Sequence, residues 1–221
     1  MARSLVAETA ASGLVLKRLR THSESEFSDL LSLYEEAFPA SERKPVAVLH
    51  RMLAVDEYHF FLATENRIIV GLAIVRVLSG GTAALLEYMA VAPSQRRRGI
   101  GGQIVLAAAR AVNAPSVTLL LEVESDRIED ADRLLRTRRK QFYRALGALE
   151  VRDLSWIMPP LIETRPPAME MMVLGPMMSS VTRHQVQQWL TEIYVDVYGQ
   201  SADDPRIEAM VRELPEEVGF V

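Results

Sequence analysis

Residues 85–103 read LLEYMAVAPSQRRRGIGGQ: an apolar strand, a basic glycine-rich turn and the first turn of a helix. Gly99, Gly101 and Gly102 carry no side chains, so a ligand can come close to the backbone there. The first amides of a helix have no partner within it and project from its end, where the helix dipole adds positive potential. Such an end suits phosphate. Arg96, Arg97 and Arg98 add cations able to pair with phosphate oxygens. Two common nucleotide motifs do not fit. A P-loop ends in GK[ST], which is missing, and Gly99-Ile100-Gly101-Gly102 matches the dinucleotide pattern GxGxxG poorly. The segment does fit [QR]-x-x-G-x-[GA], as Arg96-Arg97-Arg98-Gly99-Ile100-Gly101.

Working outward, the aromatic and apolar run at 58–64, the Ile- and Val-rich run at 68–78 and the run at 83–91 predict three strands, joined by the turns Glu65-Asn66-Arg67 and Ser79-Gly80-Gly81. A short strand around Leu14, Leu16 and Leu19 comes first. A helix over 25–38 follows, with Phe27, Leu30, Leu31, Tyr34 and Phe38 on one stripe and Ser23 or Ser25 as its cap. Pro45 suits the start of a second helix reaching about Val55. Beyond the glycine turn, a helix over 99–112 ends at Ala114-Pro115. Residues 117–123 then form a near-continuous apolar strand, as burial on both faces requires. A helix over 131–146 closes on Gly147. Strands are expected over 149–158 and 169–174, linked through Pro159, Pro160, Pro166 and Pro167. The tail reads as two helices. One is opened by the capping box Thr182/Gln185, with Val186, Trp189, Leu190, Ile193 and Val197 on one face; the other is opened by Asp204-Pro205.

The chain has 221 residues, 49% hydrophobic and 24% charged, as an ordinary folded protein has. A formal net charge of −4 excludes a generally basic, nucleic-acid-coating surface. The absence of cysteine excludes disulfides, thiolate nucleophiles and Cys-ligated metal centres. The longest uncharged run, 171–182, is 12 residues, too short for a membrane-spanning helix. Residues 1–20 lack a signal-peptide layout, so a soluble cytoplasmic protein is expected. The four histidines, His22, His50, His59 and His184, show no metal-ligand spacing, and no metal is expected.

The segment resembles the GNAT superfamily of acyl-CoA-dependent N-acyltransferases, and the likeness extends beyond the loop. Met89-Ala90-Val91-Ala92-Pro93 is similar to the family's fourth strand and bend, and Leu120-Leu121-Glu122-Val123 to its fifth strand. Phe142-Tyr143-Arg144-Ala145-Leu146-Gly147-Ala148 resembles its FYxxLGF segment. The resemblance implies an α/β fold, a mixed and mostly antiparallel twisted sheet flanked by helices. It would occupy residues 1–175, with 176–221 as a helical extension packed on it or at a homodimer contact. It implies N-acetyl transfer from acetyl-CoA to a primary amine by direct attack in a ternary complex. A CoA-binding sensor or interaction module without turnover is the alternative.

Residue by residue, the resemblance implies that the backbone of Met89, Ala90 and Val91 pairs with the pantetheine arm, like an added strand. Arg96, Arg97, Arg98, Gly99, Ile100, Gly101 and Gly102 would hold the pyrophosphate. Tyr143 matches the family's general acid, a phenol that protonates the departing thiolate. The general base stays open among Glu122, Glu87 and Glu124; each could equally pair with an arginine. One departure stands out: the asparagine many relatives carry seven residues before the tyrosine is Arg136 here. The basic residues over 133–144, Lys140 among them, are candidates to meet the nucleotide's 3′-phosphate, but most are expected to form a charged outer face balancing Asp126, Glu129, Asp130 and Asp132. The methionines over 169–178 are expected in the core. Glu42, in the turn at 38–43, is a candidate for recognising a cationic amine, or an ordinary turn residue. Which amine accepts the acetyl group is not written in the sequence.

Overall fold

The computed structural model describes residues 13–20, 24–112, 117–159, 167–175 and 179–221. Expectations placed on Ser23, His22, Ala114-Pro115, Pro160, Pro166, Pro176, Met177 and Met178 lie outside the described residues. The fold is mixed α/β. Strands β1 (Leu14–Leu19), β2 (Tyr58–Glu65), β3 (Ile68–Val77), β4 (Ala83–Val91), β5 (Thr118–Glu124), β6 (Leu149–Glu150) and β7 (Met169–Leu174) form one seven-stranded sheet in the order β1-β2-β3-β4-β5-β7-β6. Helices α1 (Glu24–Ala37), α2 (Val46–Leu53), α3 (Ile100–Val112) and α4 (Arg133–Ala145) flank it. Most pairings are antiparallel; β4 and β5 are parallel and pair through Ala83–Leu85 and Thr118–Leu120.

The chain divides into two compact units. The first comprises Met1–Val77 and Leu86–Val112. Its β1–β2–β3 meander is antiparallel, with one register shift at Ala63/Thr64, and β2 and β3 are buried through most of their length. One core cluster gathers Phe27, Leu30 and Tyr34 of α1, Leu49 and Leu53 of α2, Phe60, Leu72 and Ile74 of the sheet, and Tyr88 and Ala90 of β4. His59 of β2 lies edge-on to Phe61, with its Nδ1 buried and unpaired. Burial, then the nearby Arg18 and Arg20, lowers its pKa from 6.5 to about 4. Between these values the unfolded chain binds the extra proton and the folded chain does not. Stability from this group should therefore be complete above about pH 6.5 and fall as pH drops toward 4. Urea midpoints over that range should fall less steeply in His59→Phe; equal slopes would refute the assignment.

The second unit comprises Leu78–Leu85 and Asn113–Val221. Its β7 is buried from Glu170 to Leu174, with Met171 and Met172 in the core as expected. Helices α5 (Arg183–Asp196) and α6 (Pro205–Val211) share one core cluster with β5 and β7. The tail stripe is thereby buried, Trp189 to 3% exposure. The Thr182 hydroxyl accepts from the Gln185 amide and the Asp204 carboxylate from the Arg206 amide, the two caps the sequence shows.

Two features depart from the sequence expectation. The strand expected over 149–158 is only Leu149–Glu150, because the Arg152-Asp153 turn, with Asp153 at φ +60°, breaks it. Beyond it, Val151 and Trp156 make isolated bridges to Phe220 and Met169. A second sheet, β8 (Ser180–Thr182) with β9 (Glu217–Gly219), was not legible: each strand has three residues and its partner is distant in sequence. Among the described residues, no helix is long and apolar enough to cross a membrane.

Candidate functional site

In the first unit, β4 runs into a short 3-10 turn, Pro93–Gln95, and then α3. Arg97 (φ +67°) and Gly99 (φ +75°) take left-handed conformations that swing the chain into the helix. A Cβ on Gly99 would meet nothing within 4 Å, so the backbone there is open to approach. The Gln103 amide donates to the Gly99 carbonyl at 3.3 Å. The amides of Ile100, Gly101 and Gly102 precede that bond and have no acceptor inside the helix. This end therefore suits a phosphate. The three arginines differ in their engagement. Arg96 Nε donates to the Val91 carbonyl at 3.3 Å, and Arg97 is exposed. Arg98 grips both oxygens of Glu65 at 2.8 and 2.9 Å, and this contact raises its pKa.

Gly71 of β3 fixes how closely α3 can lie. A Cβ there would stand 2.4 Å from Ile104 Cδ1 and 2.8 Å from the Ala90 carbonyl oxygen. The Ala90 carbonyl thus points toward β3, and Ala92 N donates to Val70 O at 2.9 Å on the same side. Strand backbone groups alternate, so those of Met89 and Val91 point away from β3. Of the three residues expected to pair with a pantetheine arm, Met89 and Val91 turn their backbone groups away from β3, the Val91 carbonyl accepting from Arg96 Nε, and Ala90 is turned toward β3.

Glu87 lies on β4 in register with Met89 and Val91, alternating with Tyr88 and Ala90 of the α1/α2 core. Its side chain is 4% exposed and ion-paired with Lys44 Nζ; its Oε1 is buried without a hydrogen-bond partner. The α1–α2 connection that carries Lys44 is tied down twice. The Lys44 amide donates to Tyr34 Oη at 2.8 Å, and Tyr88 Oη donates to the Glu42 carbonyl at 2.9 Å. Tyr34, Phe38 and Tyr88 pack together with centroids 4.9–5.3 Å apart, Tyr88 edge-on to both other rings. Burial first, then Tyr34, pushes the Tyr88 phenol well above its usual pKa, so it remains a donor. Glu42 enters this arrangement through its carbonyl. The Lys44–Glu87 pair was missed in the sequence because 43 residues separate its members.

In the second unit, Tyr143 of α4 is 9% exposed and meets Phe142 edge-on at 5.0 Å. Burial raises its pKa, with a smaller opposing effect from Arg139, so it holds its proton at neutral pH. Glu122 of β5 accepts from Tyr198 Oη at 3.0 and 2.8 Å, a partner sequence reading did not supply. Glu124 lies 3.7 Å from Arg139. Arg136 donates to the Ile128 carbonyl at 2.9 Å and the Asp130 carboxylate at 2.6 Å, which makes it a loop clamp. No group of three or more His, Cys, Asp or Glu residues that could hold a metal occurs among the described residues.

Residues 56–147 match the family model described as an acetyltransferase (GNAT) domain. Among solved structures, a Bacteroides thetaiotaomicron protein assigned to the GNAT acetyltransferases aligns over 83% of this chain and 98% of its own, with a TM-score of 0.69 and 19% identity. The ribosomal-protein-S18-alanine N-acetyltransferase of Escherichia coli aligns over 75% and 95%, with a TM-score of 0.55 and 21% identity. The spermidine N-acetyltransferase of Vibrio cholerae, solved with CoA and spermine, aligns over 74% and 96%, with a TM-score of 0.55 and 14% identity. At these identities the likeness shows a shared fold. No curated protein matches the sequence.

Proposed function

We propose that this chain, whose residues 56–147 match the model of an acetyltransferase (GNAT) domain, transfers an acetyl group from acetyl-CoA to a primary amine. The observation that supports this most is the start of α3, where the amides of Ile100, Gly101 and Gly102 have no acceptor inside the helix and the backbone at the preceding Gly99 is open to approach. The cluster fits a diphosphate, and Arg96 and Arg97 lie beside it in sequence to add charge. The outward backbone groups of Met89 and Val91 would bind the pantetheine arm by strand addition. Acetyl-CoA supplies a thioester carbonyl for direct attack, with no covalent enzyme intermediate.

The chain's own groups then have proton work to do. Glu87 would accept the amine's proton; its buried, orphaned Oε1 is ready to take one more hydrogen bond. Glu122 is the less suited base, since Tyr198 already donates to both its oxygens. Tyr143, held protonated by burial, would protonate the departing thiolate. Calorimetric titration with acetyl-CoA tests the reading, alongside Gly101→Glu, which places a carboxylate at the anion site. Thiol release screened over amines completes it, free of background in a chain without cysteine. Binding lost in the variant, together with amine-dependent thiol release, is expected. Binding without release for any amine would favour a CoA-binding module, and no binding would refute the reading.

A further inference from the structure

We propose that Lys44 is itself an acetyl acceptor, an internal amine seated at the position where Glu87 receives the external one; this rests on the acetyl-transfer reading above. The chain contains only three lysines, Lys17, Lys44 and Lys140. The ammonium of Lys44 is paired with a carboxylate that is 4% exposed, while Lys44's own side chain is 17% exposed. Two phenols, Tyr34 and Tyr88, anchor the connection that carries it, so its placement is built rather than incidental. Glu87 lies two residues before Met89 on the same side of β4, so their Cα atoms are about 7 Å apart at the usual strand rise. An amine, a proton acceptor and the backbone expected to hold the thioester arm are thereby gathered in one unit.

The step balances without a further reactant. Glu87 takes a proton from the Lys44 ammonium. The freed Nζ attacks the thioester carbonyl, a C–N bond forms and the C–S bond breaks. The nitrogen sheds its second proton, the CoA thiolate gains one, and the proton on Glu87 passes to solvent. The products are Nζ-acetyl-Lys44, CoA and one proton. An external primary amine that reaches Glu87 competes with Lys44 for the same carboxylate and the same acetyl group.

The other lysines serve as internal controls. Lys17 is 55% exposed at the side chain and should lead any spontaneous acetylation, whereas Lys140 is 3% exposed. The test is incubation with acetyl-CoA and no amine, followed by intact mass and peptide mapping, with acetyl-CoA binding measured separately by calorimetry. One acetyl group is expected, on Lys44. Its formation should slow at least tenfold in Glu87→Gln and in the presence of excess butylamine, and should vanish in Lys44→Arg, which keeps the ion pair. Lys17 labelled as much as Lys44, or Lys44 labelled equally fast in Glu87→Gln, would overturn the proposal. So would an unlabelled Lys44 in protein that binds acetyl-CoA. Failure to bind acetyl-CoA would overturn the acetyl-transfer reading itself, and this inference with it.

Discussion

Glu87→Gln should lower kcat for amine acetylation by about 10²–10⁴-fold, the usual contribution of a positioned general base, while leaving acetyl-CoA affinity unchanged. Glutamine keeps the shape of the side chain and one oxygen for a hydrogen bond, but it cannot take the amine's proton. The anion site at the start of α3 and the backbone of Met89 and Val91 are untouched, so calorimetry with acetyl-CoA should match the wild type. Glutamine also leaves the Lys44 ammonium facing a neutral group, with its side chain only 17% exposed. The melting temperature should therefore fall as well. Lys44→Met combined with Glu87→Gln separates the two effects, because the uncompensated charge is gone and stability should recover while turnover stays low. Glu122→Gln provides the contrast and should change kcat little, since that carboxylate already has a phenol on both oxygens. A Glu87→Gln enzyme with wild-type turnover would remove Glu87 from the chemistry.

Lys140→Met should cost about 3–5 kcal/mol of folding stability, the typical loss when one member of a buried ion pair is removed. The Lys140 side chain is 3% exposed and reaches Asp126 at 2.9 Å, Glu150 at 3.0 Å and also Glu170. Glu150 and Glu170 are 4% and 3% exposed. Arg127 pairs with both, Arg144 lies 3.2 Å from Glu150, and the Ser125 hydroxyl donates to Glu170 at 2.7 Å. Three carboxylates thus face three cations, and the variant leaves a negative charge stranded. Burial works against the Lys140 charge, but hydrogen bonds to Glu170, Asp126 and Glu150 outweigh it and raise the pKa. By linkage, this stabilisation is fully present below the ordinary lysine pKa of 10.5 and is lost as pH rises through the higher folded value. Urea unfolding at pH 7 checks the loss, and adding Glu170→Gln should restore part of it. A Lys140→Met protein as stable as the wild type would show that the network carries no net stability.

These two cases mark what the sequence reveals and what it hides. The glycine turn, α3 and the caps of α5 and α6 are local events, written in residues within a turn of one another, and they were legible. So was the β2–β3–β4 meander, through apolar, β-branched and aromatic runs bounded by tight turns. Lys140 was expected on a solvated outer face because its sequence neighbourhood, from Asp126 to Asp132, is acidic. Its two buried partners come instead from β6 and β7, and no local pattern announces them. The same distance hid the contact of Lys44 with Glu87, and that of Tyr198 with Glu122. Arg98 shows the reverse limit: the motif marks where it stands, while Glu65, on another strand, decides what its charge meets.

Gly71 has a bearing on measurement at the molecular scale. With only a hydrogen atom separating β3 from Ile104 and the Ala90 carbonyl, α3 and β4 are held at a fixed offset, as two marks on a ruler. One mark is the cluster of amides that suits a diphosphate; the other is the row of strand groups that suits an extended amide-bearing arm. A ligand with both parts at the right separation gains both contacts from a single frame, and either half alone gains only one. Selectivity for the whole cofactor over its fragments would then arise from spacing, set by the one residue type that leaves room for it.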